Sequence, residues 1–88
     1  MPMITRTQID RSINQLLCLI LGKDKADASA HFAYDPLKRV EFCLELVEQQ
    51  MDLAKKQDDR ALQAACRRQF TSLESLEKLA QLAKEVEW

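Results

Sequence analysis

From Leu37 to Trp88 the chain contains neither glycine nor proline, and the whole sequence holds only Gly22, Pro2 and Pro36 of these two types. Turns between strands draw on Gly, Asn or Pro at fixed positions, and no Asn-Gly or Asp-Gly pair occurs. No segment alternates apolar and polar residues with the period of two that a half-buried strand requires. The chain is therefore expected to be all-α. At 88 residues, 47% apolar and 31% charged, it has the composition of one small folded domain spanning 1–88. A domain of this size buries only about 60% of the surface its unfolded chain exposes, which makes self-association an ordinary supplement to its core.

The spacing predicts a first helix over about 5–21. Thr5 with Gln8 forms a capping box, and Gly22 tolerates the conformations that end a helix. Ile9, Ile13, Leu16 and Ile20 recur at helical steps as one apolar stripe, widened by Leu17. Leu21 lies about 110° from its centre, Leu19 about 90° the other way and Cys18 nearly opposite. The last turn and a half is thus apolar all round, so its far face should be covered.

Residues 22–35 form a connection in which Ala26, Ala30 and Ala33 after Asp24 allow a short extra helix. Asp35 before Pro36 is the clearest start signal, a carboxylate cap followed by proline where its missing N–H costs nothing. The second helix runs over about 36–56 with a stripe of Val40, Leu44, Val47, Met51 and Ala54, beside Cys43. Downstream the apolar positions are Leu62, Cys66, Leu73, Leu76, Ala80 and Ala83, a face displaced by about 80°. Lys55 and Lys56 suit a helix end, and Asp58 and Asp59 suit a helix start. This predicts a tight turn at about 56–59 and a third helix over about 59–86; one long bent helix is the competing structure.

The expected architecture is an up-down-up antiparallel three-helix bundle, a long hairpin of the second and third helices packed against the first. In that order the ends of the first and third helices share a pole, where Leu79, Leu82 and Val86 add a second apolar row. Cys18, Leu19, Leu21, Leu79, Leu82, Val86 and Trp88 are accordingly expected to form a protein interface. The competing expectation is that the 22–35 connection folds over this pole with Phe32 and Tyr34.

Thirteen Lys and Arg against fourteen Asp and Glu leave a net charge of −1, so no large field draws the chain to nucleic acid or an anionic membrane. The local cluster Lys55, Lys56, Arg60, Arg67 and Arg68, joined at the same pole by Arg6 and Arg11, supports the alternative reading of a dimeric helical nucleic-acid binder. Asp10, Asp52, Asp58 and Asp59 dilute it. Catalysis is not expected: His31 is the only histidine, and the local sequence around it ends at Pro36 rather than continuing as the long helix of a phosphotransfer domain. The acidic row Glu41, Glu45, Glu48 and Asp52 lacks the Glu-x-x-His pairs of a di-metal bundle and reads as a solvated edge.

Cys18, Cys43 and Cys66 form no C-x-x-C pair and have no histidine at ligand spacing, so neither a zinc site nor a disulfide framework is expected. The longest apolar run, Leu16 to Leu21, is six residues against about 20 for a membrane span. These features predict a non-catalytic, cytoplasmic protein–protein interaction module (adaptor, chaperone or regulatory subunit) without metal or cofactor, binding another protein or a second copy.

Overall fold

Thr5 begins the first helix as its side chain dictates: its N–H donates to Gln8 Oε1 at 3.0 Å, and its Oγ1 accepts from the Gln8 N–H at 3.2 Å. The computed structural model describes residues 5–32 and 34–85. Among them are four helices and no strand: α1 (Arg6–Leu21), α2 (Lys23–Ala28), α3 (Pro36–Lys56) and α4 (Arg60–Glu85), with a single 3-10 turn, Ala30–Phe32, before α3. The fold is all-α.

Gly22 separates α1 from α2. Its φ of 90° and ψ of 161° lie where residues with a Cβ are strained. Its N–H donates to Cys18 O (2.9 Å) and its carbonyl accepts from Ala26 N–H (3.1 Å), so one residue ends one helix and starts the next. Asp35 Oδ1 accepts from the Lys38 N–H at 3.3 Å and Pro36 is the first residue of α3.

The end of α3 meets the absence of glycine with an aspartate. Asp58 takes φ 52°, its N–H donates to Lys55 O (3.2 Å), and the Asp59 N–H reaches back to Ala54 O (2.9 Å). This is the paired hydrogen-bond closure that glycine normally makes possible, and Asp is one of the few other residues that tolerates it. Asp59 then caps α4, its Oδ1 accepting from the Leu62 N–H at 3.0 Å. Residues 57–59 therefore form a true turn, and the single bent helix is ruled out. Asp58→Gly is expected to stabilise the fold by about 0.5–1 kcal/mol by removing the left-handed strain; an unchanged urea midpoint would contradict this.

Val40, Cys43 and Val47 of α3 share a core with Cys66, Leu73, Leu76, Ala80 and Ala83 of α4 and with Ile9, Ile13, Leu17 and Leu21 of α1. The direction of α1 departs from the expected order. Ile20 O accepts from Gln69 Nε2 at 3.5 Å, Leu19 and Ile20 face Ala65, Arg68, Gln69 and Ser72, and Leu16 with Ile20 faces Ser72 through Leu79. The end of α1 thus meets the first half of α4, so α1 is antiparallel to α4 and parallel to α3.

The physical reason is the connection. Instead of a short link to a neighbour, α2 and the 3-10 turn carry the chain back beside α1, so that α3 starts level with the middle of α1. Arg39 in the first turn of α3 holds that register, its Nη2 donating to Asn14 Oδ1 of α1 at 2.9 Å and to Ala26 O of α2 at 2.9 Å.

Candidate functional site

On α4 the residues Ala65, Arg68, Ser72, Ser75, Leu79 and Leu82 follow one another at steps of three and four, forming a row beside the buried one. On α1, Ser12, Leu16 and Leu19 do the same beside Ile9, Ile13 and Leu17. Because α1 and α4 are joined through their inner rows, these outer rows become the two walls of an open groove. Two adjoining hollows occupy it. One, of about 340 Å³, lies between Leu16, Ile20, Ser72, Ser75, Leu76 and Leu79. The other, of about 370 Å³, continues it past Leu19 and Arg68.

The groove is uncovered and mixed in character, apolar along Leu16, Ile20, Leu76 and Leu79 and polar at Arg68, Gln69, Ser72 and Ser75. Leu19 is 82% exposed, Leu82 41% and Leu16 39%, while Ile20 and Leu79 are half-buried and pack against the core. Ser75 Oγ donates to Thr71 O of its own helix (3.3 Å), so its hydroxyl does not require solvent. At the Leu19 end, Gln69 Oε1 is buried without a hydrogen-bond partner.

The residues expected to share a pole are dispersed by the direction of α1. Leu19 and Leu82 are exposed as expected but stand at opposite ends of the groove, with Leu79 between them. Leu21 is in the core and Cys18 is half-buried against it. Both lie on the side of α1 that α2 packs against, with Ala26 of α2 fully buried. Val86 and Trp88 lie outside the described residues. The connection does not cover the leucines: it turns to the other side of α1, and Tyr34 remains 68% exposed.

Lys55, Lys56, Arg60, Arg67 and Arg68 of the expected cluster are all exposed. Lys55, Lys56 and Arg60 flank the 57–59 turn, and Arg67 and Arg68 border an open hollow with Thr71 and Ser72. The start of α1 is at the other end of the molecule, so Arg11 does not join them. Most aromatic side chains are elsewhere: His31, Phe32 and Phe42 cluster near the start of α3, with ring centroids 4.1 Å (His31 to Phe32) and 5.4 Å (His31 to Phe42) apart, and Phe70, beside Arg67 and Arg68 on α4, is half-buried and packs against the core. No base-stacking platform adjoins the cations. Among the described residues no group of three His, Cys, Asp or Glu could hold a metal ion, and no helix is long and apolar enough to cross a membrane.

Sequence reasoning missed one polar constellation. Arg39 is 6% exposed, and besides Asn14 and Ala26 it donates through Nε to Ser29 Oγ at 2.9 Å; Ser29 Oγ in turn donates to Ala26 O at 2.7 Å. Burial pushes the Cys43 thiol up, opposed by the Ser29 hydroxyl and the Arg39 charge, which leaves it a protonated and unreactive core group. The available signal was Arg39 lying four residues before Cys43, on the buried side of α3. Comparison of this chain with protein-family models, with curated proteins and with solved structures finds no match.

Proposed function

We propose that the chain is a non-catalytic protein–protein interaction module whose docking surface is the α1/α4 groove. The observation that carries this reading is Leu19, 82% exposed at the mouth of a groove lined further along by Leu16 and Leu79, with Leu82 exposed one turn beyond on α4. An apolar strip of this kind on a small domain is a recurrent mark of a docking site, and a cleft between two helices fits the apolar face of a third. Its residues present no paired acid and base, and the hollows are open rather than enclosed, which favours binding over catalysis. Adaptor, chaperone and regulatory subunit are all roles such a surface can serve.

The test is a photo-cross-linking side chain placed at position 19 and, as a control, at exposed position 48 of α3. Discrete protein adducts are expected from position 19 alone. Adducts from neither position, or equally from both, would overturn the assignment.

A further inference from the structure

Resting on that docking reading, we propose that the occupant of the α1/α4 groove is the same groove of a second copy, related by a two-fold axis that sets α4 antiparallel to its counterpart. The first argument is charge. Bordering the groove row on the outer side of α4 is a second row at steps of four and three, Arg67, Thr71, Glu74, Lys78, Gln81 and Glu85, every member exposed. Its signs run positive, neutral, negative, positive, neutral, negative. Laid antiparallel on itself, the row sets Arg67 opposite Glu85 of the second copy, Thr71 opposite Gln81, and Glu74 opposite Lys78. Laid parallel, a two-fold would carry α4 over α1 of the second copy and leave these complementary pairs unmade.

The second argument is size. The α4 wall is small at one end, with Ala65, Ser72 and Ser75, and large at the other, with Leu79 and Leu82. The α1 wall runs from Ser12 to Leu16 and Leu19. An antiparallel two-fold about the region of Ser75 and Leu76 sets Leu82 over the small end of the opposing α4 and Leu19 over Ser12 of the opposing α1. Large residues then fill spaces left by small ones, as interdigitating helix surfaces require. The contact spans about 21 Å along α4 from Arg68 to Leu82, a short interface, so the dimer should form in a concentration-dependent way rather than permanently.

Sedimentation equilibrium of the full chain tests this. The wild-type protein is expected to pass from monomer to dimer with increasing concentration. Leu19→Asp and Leu82→Asp should each remain monomeric with unchanged helicity. Arg67→Glu, at a fully surface position, should weaken the dimer about five-fold or more, because symmetry converts two attractive pairs into repulsive ones. Arg67→Glu combined with Glu85→Arg in one chain should restore wild-type affinity to within about two-fold. Failure of that rescue overturns the antiparallel arrangement. A wild-type chain still monomeric at millimolar concentration removes the second copy as occupant; the docking reading is then judged separately by whether position 19 cross-links to other proteins.

Discussion

Replacement of Arg39 by alanine is expected to lower the unfolding free energy by about 3 kcal/mol, with the damage concentrated where α2 and the 3-10 turn join α3. The guanidinium is nearly inaccessible and its three hydrogen bonds, each 2.9 Å, all go to uncharged oxygens, those of Ser29, Asn14 and Ala26. Hydrogen bonds from a charged donor contribute about 1.5–3 kcal/mol each when measured singly, and those of one group are not additive. Ala26 O retains Ser29 Oγ as a donor, so the losses fall mainly on Asn14 and Ser29. Lysine should rescue little, since one ammonium cannot reproduce the planar fork that reaches α1 and α2 together. Urea denaturation measures the loss, and amide exchange should accelerate first in residues 23–32. A change below about 0.5 kcal/mol would mean that packing alone positions the connection.

Leu73→Ala is the second large effect. Leu73 is fully buried in the middle of α4, within the core that α1, α3 and α4 share. Truncating such a leucine costs about 2–5 kcal/mol through lost burial and the cavity left behind. A chain of this length has a total stability of roughly 4–13 kcal/mol, so the variant should be marginal at room temperature and visibly less cooperative in thermal unfolding. Leu19→Ala is the informative contrast: the same chemical change at an exposed site should move stability by no more than about 0.5 kcal/mol. Comparable losses at positions 19 and 73 would show that Leu19 is covered in the folded chain, and would remove the groove as a free surface.

Helix boundaries were legible because they are set by neighbouring residues. The Thr5 and Gln8 box, the Asp35 and Pro36 start and the break at Asp58 each act within a turn of the residues that encode them, and each is found where the spacing predicts it. The buried stripes were legible for the same reason, since helical periodicity alone decides which residues share a face. The candidate site was only half legible. Leu19 and Leu82 could be recognised as surplus apolar residues, but their separation to opposite ends of one groove, and the burial of Leu21, depend on which way α1 runs.

What the sequence alone determined, then, is an all-α chain with its caps, its turn and the inner face of each helix. Only the tertiary structure decided the order in space. An apolar stripe is buried equally well against a parallel or an antiparallel neighbour, so no count of leucines distinguishes the two. The choice rests on contacts far apart in the chain, Arg39 to Asn14 and Gln69 to Ile20, and on a connection that folds back as a helix. Those contacts turn two outer rows into the walls of a groove.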